Sequence, residues 1–363
     1  MLPRDVISTG SLILRPPAAG DAEAIVRTCG DPVTARFLPL LPSPYAAGDV
    51  DAYFRLADTR WREGGAEFAV SENGQYVGSV GVRPPDRWGA AGIDYVVAPW
   101  ARGKRVASTA VRAVTDWAFD HGVRRVELEA EVENVAGLRV AYRTAFHEEG
   151  RRRDALRLRD GRYVDVVSFA RLRDDAAPAT LEPYLPFFEG GQLSDGVVRL
   201  TPLALADAAD YHRMMAEPSV AAYAVSPPGT LEDDERRCRY TGYWWVSGQR
   251  IELAVRDAES GEFAGHLQLT QVVPALGQAM VGYSLVPAFR GRGFMTRAVR
   301  LLVDWAFART SLRRVVAGTD ATNAASQRVL ERAGFSREGV HREMFPKVGG
   351  RWADDVAWAR LRS

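Results

Sequence analysis

The sequence predicts an α/β fold made twice, each copy a sheet of mixed strand order with helices packed on it. Three observations carry this expectation. First, Trp100-Ala101-Arg102-Gly103-Lys104-Arg105-Val106-Ala107 is answered by Ala288-Phe289-Arg290-Gly291-Arg292-Gly293-Phe294-Met295, Asp116-Trp117-Ala118-Phe119 by Asp304-Trp305-Ala306-Phe307, and Arg124-Arg125-Val126 by Arg313-Arg314-Val315. Second, the endings Phe169-Ala170-Arg171-Leu172 and Trp358-Ala359-Arg360-Leu361 keep that spacing to within one residue, and a repeat so long means two whole domains, not a solenoid of small units. Third, strand and helix periodicities follow the same order in both copies, and a chain of 363 residues gives each half enough length to bury its own core.

Each half opens on a short strand, Leu12-Ile13-Leu14-Arg15 or Val197-Val198-Arg199-Leu200, and passes into a helix near Asp21 or Asp207, either of which suits a cap. Proline-rich loops follow, Leu40-Leu41-Pro42-Ser43-Pro44 and Ser226-Pro227-Pro228-Gly229. Strands with turn signals come next: Glu67-Phe68-Ala69-Val70 runs up to Asn73-Gly74, and Glu252-Leu253-Ala254-Val255 up to Ser260-Gly261. A further strand, ending in Val-Ala-Pro or Leu-Val-Pro, enters the arginine-glycine loop. After that loop Phe294, Ala298, Leu301, Leu302 and Trp305 recur at helical spacing, so it opens a helix with one buried face. Val126, Leu128, Ala130 and Val132 then alternate with Glu127, Glu129, Glu131 and Glu133, a strand with one acidic face that is either solvated or turned to a cationic acceptor. Tyr240, Tyr243, Trp244 and Trp245, with Pro227 and Pro228, are either core or the lining of an acceptor mouth.

These boundaries place a first domain at 1–175, a linker and clasp at 176–191, and a second domain at 192–363. The stretch Arg173 to Thr180 has linker composition. Leu181-Glu182-Pro183-Tyr184-Leu185-Pro186-Phe187-Phe188 is too apolar to stay in water and is expected to pack across the junction, or else as a clasp on one domain.

Composition is that of an ordinary globular chain, 47% hydrophobic and 26% charged. A net charge of +1 gives no global pull toward nucleic acid or anionic membrane, so any anion must be recognised locally. Cys29 and Cys238 are isolated, one per half at unmatched places, which fits a reduced cytoplasmic protein and neither a disulfide framework nor a metal site. Met1-Leu2-Pro3-Arg4-Asp5 is not an apolar signal region, and no stretch approaches membrane-spanning length.

A strand, then Arg290-Gly291-Arg292-Gly293, then a helix is what a polyphosphate needs. Glycine lets the backbone come close, helix-start N–H groups face the anion, and the two arginines add charge-assisted donors. No Lys-Ser or Lys-Thr closes the loop as in a P-loop, and the dinucleotide spacing of glycines is absent. Downstream, Asn323-Ala324-Ala325-Ser326-Gln327-Arg328-Val329-Leu330-Glu331-Arg332-Ala333-Gly334-Phe335 places Asn323 at a helix start, as a cap or a ligand-holding amide, and Ser326 one turn along the same face.

Together, and in this order, the two segments resemble the Gcn5-related N-acetyltransferase (GNAT) superfamily, particularly its ribosomal-protein N-terminal acetyltransferases. The resemblance runs through both halves and is most specific in the second, from Val281-Gly282-Tyr283-Ser284-Leu285-Val286-Pro287 to Gly334-Phe335, Glu338-Gly339, Arg342 and Asp354. It implies two tandem domains, each a mixed, mostly antiparallel twisted sheet flanked by helices, and an acetyl-coenzyme A or larger acyl-coenzyme A donor without a metal. The pyrophosphate would lie on Arg290, Gly291, Arg292 and Gly293, continued by Phe294, Met295 and Arg328. The pantetheine would run beside Leu285 and Val286 and be held by Asn323. A backbone N–H near Val286 would polarise the thioester, and Ser326 would protonate the departing thiolate. An amine of a small molecule or peptide would attack directly, with no covalent enzyme intermediate.

The general base is less readable. Phe345 occupies the counted position of the glutamate that the ribosomal branch carries. Glu343, two residues earlier, shares its face if the strand is regular; His266 is the other candidate, and a water relay could replace either. Asp354, matched by Asp165, looks structural. In the first half Arg105 replaces Gly293, Gly137 replaces Ser326 and Ala145 replaces Gly334, so that half is expected to be degenerate. Met295 stands where many relatives have glycine or alanine, which would reshape the second loop without blocking it. The alternatives are a non-catalytic acyl-coenzyme A binding or regulatory module, and a transferase using a carrier-protein donor. The assembly expected is a monomer, as an internal pseudo-dimer, or a homodimer.

Overall fold

A computed structural model describes residues 2–175, 183–347 and 352–362. The chain divides into two compact units, Met1–Glu182 and Pro183–Ser363. Of the linker and clasp expected over 176–191, residues 176–182 lie outside the described residues.

The first unit runs β1 (Ile7–Thr9), β2 (Leu12–Arg15), α1 (Ala22–Cys29), α2 (Pro32–Phe37), α3 (Ala47–Arg62), β3 (Ala66–Glu72), β4 (Gln75–Val82), β5 (Ala90–Val97), α4 (Val106–Asp120), β6 (Arg125–Glu131), α5 (Val135–Arg143), β7 (His147–Arg157) and β8 (Tyr163–Leu172). The second repeats it: β9 (Leu193–Ser194), β10 (Val198–Pro202), α6 (Ala208–Ala216), α7 (Pro218–Ala221), α8 (Leu231–Val246), β11 (Ile251–Asp257), β12 (Phe263–Val273), β13 (Gln278–Leu285), α9 (Phe294–Arg309), β14 (Arg314–Asp320), α10 (Ala324–Arg332), β15 (Ser336–Pro346) and β16 (Trp352–Leu361). Strand order is β1-β2-β3-β4-β5-β6-β8-β7 in one sheet and β15-β16-β14-β13-β12-β11-β10-β9 in the other. Pairing is antiparallel except for β5 with β6 and β13 with β14.

Asp21 and Asp207 do mark helix starts, but they are not caps reaching forward. Each buried carboxylate bonds back to a preceding N–H, of Ala18 or Ala204, and pairs with Arg15 or Arg256. The apolar stretch after 183 belongs to the second unit's own core. Leu185 and Phe188 are buried there, the Trp245 indole N–H donates to the Leu185 carbonyl, and Phe187 stacks on Trp245 at 4.9 Å. Tyr240, Tyr243 and Trp245 are likewise core, which removes them from the mouth. The acidic face of β6 is ion-paired: Arg36 takes Glu131 bidentately, Arg152 takes Glu129 and Arg125 takes Glu127.

Register decides which residues share a face in the second unit. Glu252 and Ala254 stand opposite Gln268 and His266, which stand opposite Gly282 and Ser284. Met280 is level with Val316; two and four residues on, Gly318 and Asp320 stand opposite Ala357 and Asp355. Side chains alternate along a strand, so all of these lie on one face, the face on which α6 and α8 pack Tyr211, Met214 and Cys238 against Ala254. The other face carries Leu253, Leu267, Val281 and Val315 against Val299 and Leu302 of α9 and Leu330 of α10.

Candidate active site

Pairing between β13 and β14 is confined to Gln278–Met280 against Arg314–Val316, so beyond Met280 the two strands part. The Val286 N–H donates to the Ala264 carbonyl at 2.9 Å. Backbone groups alternate sides in an antiparallel pair, so the N–H groups of Leu285 and Tyr283 point away from β12, toward the gap. Val286 is thus engaged, and of the N–H groups near it the one at the strand end that faces the gap is that of Leu285.

The loop that follows holds Gly291 at φ 76° and Gly293 at φ 79°, left-handed conformations that glycine adopts without a Cβ penalty. A Cβ at either position would meet no atom within 4 Å, so the backbone there is open to a ligand. Gly293 is the residue before α9, whose first-turn N–H groups have no partner within the helix and receive no side-chain cap from Gly293. Arg290 donates to the Leu285 carbonyl, whereas Arg292 pairs with Asp257 at 3.2 Å and lies over the Phe294 ring. Phe294 and Met295 are buried in the core, so only their backbone N–H groups, not their side chains, can meet the ligand. Arg328 is exposed on α10. A cavity of about 330 Å³ opens beside Gly293 along α9, lined by Arg297, Arg300 and Arg332 together with Asp195 and Asp304, and one of about 300 Å³ lies at the matching place beside Arg105. These features fit an anionic pyrophosphate and an extended pantetheine.

Across the gap, Asn323 caps α10, its Oδ1 accepting the Ser326 N–H at 3.0 Å. The Ser326 hydroxyl lies 2.9 Å from the Tyr283 hydroxyl, which also donates to the Ser326 carbonyl. Burial raises the Tyr283 phenol well above its usual range, keeping it protonated. Tyr283 is a site residue that sequence reasoning missed. Its signal was present, since Tyr95 holds the same place and donates to the Gly137 carbonyl.

His266 is buried on the α6/α8 face, its Nε2 2.5 Å from Glu252. Arg237 reaches the other Glu252 oxygen at 2.7 Å. Burial alone would raise the Glu252 carboxyl; His266, Arg237 and Arg250 outweigh it and hold the group at about 2, against an ordinary 4.5. An ionised Glu252 takes the Nε2–H and leaves Nδ1 as the basic nitrogen. The stabilisation from Glu252 is complete above pH 4.5 and is lost as pH falls toward 2. Glu252→Gln is therefore expected to cost about 3 kcal/mol at neutral pH, the scale of a broken buried ion network. In urea unfolding the gap from the parent should close as pH falls through that window; a gap independent of pH would refute the assignment.

Glu343 sits elsewhere. Register slips between His341 and Phe345, so β15 is not regular there and the shared face with Phe345 does not follow. Glu343 has φ 51°, is exposed, and its N–H is held by Asp354; Asp154 and Asp165 repeat this arrangement in the first unit. Three strands separate β15 from β12, so the structure does not bring Glu343 and His266 together.

In the first unit Arg105 holds φ 63° at the place of Gly293, and Ala145 holds φ 64° at that of Gly334. The left-handed backbone is preserved although both residues carry a Cβ. Arg102 is paired with Asp31 and donates to the Thr34 hydroxyl. Register puts Ser79 where His266 stands and Val166 where Asp355 stands. Glu67 matches Glu252, but burial and the like charge of Asp94 push it up to about 7, against Arg60 and Tyr53. Cys29 and Cys238 are buried, which raises both thiols and disqualifies them as nucleophiles.

A family profile described as "Acetyltransferase (GNAT) domain" matches residues 11–147 and 198–336. "Probable N-acetyltransferase YjcK" of Bacillus subtilis (strain 168) is 44% identical over 139 residues, 34% of this chain and 76% of that protein. "Putative ribosomal N-acetyltransferase YdaF" of the same organism is 34% identical over 102 residues, 28% of this chain and 55% of that protein. Among solved structures, Mycobacterium smegmatis RimJ in complex with a coenzyme A disulfide is 24% identical, covers 50% of this chain and 90% of its own, and superposes with a TM-score of 0.44. Among the described residues no helix is long and apolar enough to cross a membrane, and no group of three His, Cys, Asp or Glu side chains is placed to hold a metal.

Proposed function

Because the chain belongs to the acetyltransferase (GNAT) family and transfers an acetyl group from acetyl-coenzyme A to an amine, we propose that the second half alone carries out this reaction. The observation that carries the proposal is the coincidence, in that half only, of an unobstructed glycine loop before α9, a Ser326–Tyr283 hydroxyl pair on the gap, and a histidine–carboxylate pair on the face beyond it.

The donor's pyrophosphate rests on the backbone of Arg290 to Gly293 and the first N–H groups of α9. Its pantetheine lies in the gap along β13, with the Leu285 N–H facing it. When bound, acetyl-coenzyme A supplies an activated acyl carbon. His266 Nδ1 removes the proton from the acceptor amine, directly or through one water, and Glu252 steadies the ring that becomes charged. The Leu285 N–H stabilises the oxygen on which negative charge develops, worth roughly 3 kcal/mol for one such donor in a dry site. Ser326 gives a proton to the departing sulfur and regains one from solvent, while the Tyr283 hydroxyl, protonated throughout, holds the serine in place. Acceptors are small-molecule or peptide amines, and the attack is direct.

Ser326→Ala is expected to lower turnover of the full chain roughly 10²-fold, at the low end of general-acid effects, with acetyl-coenzyme A affinity nearly unchanged. The first half, with Gly137 at the matching place, offers no substitute. Equal turnover of variant and parent at saturating substrates would place the chemistry elsewhere.

A further inference from the structure

The chain that leaves α7 crosses the acceptor side of the gap. Val220 of α7 is buried with Tyr211, Met214 and Ala254 on the His266 face, and Val286 packs against the same cluster. Just beyond α7 the Ala222 carbonyl accepts from Lys347 Nζ at 2.9 Å, and that nitrogen lies 5.2 Å from the centre of the Tyr223 ring. The same ammonium pairs with Asp320 of β14 at 2.7 Å. Strand order here is β14-β13-β12-β11, so a segment anchored over β11 and tied at β14 passes the gap between β13 and β14.

The first unit builds the same bridge from other residues. Counting from the proline that opens each helix, Pro32 or Pro218, Arg36 and Phe37 stand where Ala222 and Tyr223 stand; Glu131 stands where Asp320 does. Arg36 lies over the Phe37 ring and takes Glu131 bidentately, with Glu133 at 3.3 Å. Arg159, after β7, donates to the carbonyls of Ala35, Leu38 and Leu41. The cation has changed its element and its type, yet the carboxylate, the ring and the tied carbonyls are kept, so this closure belongs to both copies. Its firmness differs. A guanidinium fork on a carboxylate has a fixed geometry, whereas a lysine ammonium is a point charge on a flexible stem. From Val225 to Thr230 the second unit's segment is exposed and outside helix or strand.

We propose that Lys347 is a latch: it holds the segment after α7 across the acceptor side of the second unit's gap, and the acceptor amine enters when the lysine lets go. This rests on the second half being the active one. Lys347 acts through the segment it holds and is a positioning residue. Closed, the segment keeps water from the thioester; open, the ammonium turns to solvent while Val220 keeps α7 anchored. In the first unit the Arg36 fork and the carbonyls on Arg159 hold the matching segment shut, a second obstacle to an amine beside the altered loop.

Hydrogen exchange of the full chain tests the latch without any acceptor. The Ala224 amide, bonded to the Ala221 carbonyl, is expected to exchange roughly tenfold or more faster than its counterpart Leu38, bonded to Thr34, once intrinsic rates are divided out. Lys347→Met, which keeps the stem and removes the charge, should speed exchange from Ala222 to Ala224 by roughly a further tenfold, the low end for one charge-assisted hydrogen bond, and leave Leu38 unchanged. It should also raise hydrolysis of acetyl-coenzyme A by water when no amine is present. Ala222→Arg with Asp320→Glu copies the first unit's fork and should slow the same amides. With saturating acetyl-coenzyme A and n-butylamine as acceptor, that fork should lower kcat/KM for the amine roughly tenfold, with coenzyme A affinity unchanged. Equal exchange of the two segments in the parent, or exchange no faster in Lys347→Met, overturns the latch. Hydrolysis unchanged in Lys347→Met, or kcat/KM untouched by the fork, overturns its part in entry; should the fork variant not fold, Lys347→Met decides both. Failure to acetylate any primary amine would count instead against the second half as the active one, and exchange would still decide the latch.

Discussion

Gly293→Arg is expected to abolish coenzyme A binding by the chain while leaving both units folded. The substitution copies Arg105, which holds φ 63° at the same place before α4, into a loop where Gly293 has φ 79° and open space around it. Left-handed backbone costs a non-glycine residue roughly 1–2 kcal/mol, small against a domain stability of about 5–15 kcal/mol. The side chain itself is the obstacle, because it stands where the pyrophosphate must approach backbone N–H groups. Calorimetry should find one coenzyme A per parent chain and none for the variant, with circular dichroism of the two alike. Two equivalent sites in the parent, or binding by the variant at near-parent affinity, would mean that Arg105 does not silence the first half.

His266→Gln is expected to lower the rate roughly 10²–10⁴-fold and to remove the acid limb of the pH–rate profile, because a base works only when unprotonated. Glutamine keeps a polar group near Glu252, so the loss reports proton transfer more than unfolding; thermal unfolding of the same sample separates the two. Glu343→Gln, measured beside it, decides between the two bases. Its carboxylate partner Glu252 favours His266, and loss of the limb in the Glu343 variant alone would reverse that choice.

Much of the site was legible because residue type dictates local geometry. A glycine between a strand and a helix reads as a left-handed turn, and both loops have that turn, Arg105 included. Asn323 reads as a cap and is one. What could not be read depended on pairing. The expectation that Glu343 shares a face with Phe345 assumed a regular strand, and a bulge spanning His341 to Phe345 removes that assumption. The resemblance places the oxyanion donor only near Val286; that residue's own N–H is consumed by Ala264, and only the ladder shows which of two neighbouring N–H groups faces the gap.

By itself, then, the sequence determined the duplication, the order of elements, the left-handed turn before the helix of each copy and the residue differences between the copies, since each is written in residues that act on their own backbone or their immediate neighbours. Only the tertiary structure decided that Tyr283 meets Ser326, that Glu252 holds His266, and that the Asp355 carboxylate lies against Gly318. Those partners come from strands and helices far apart in the chain, and they meet through a register in which a slip of one residue would turn every side chain of a strand to the opposite face.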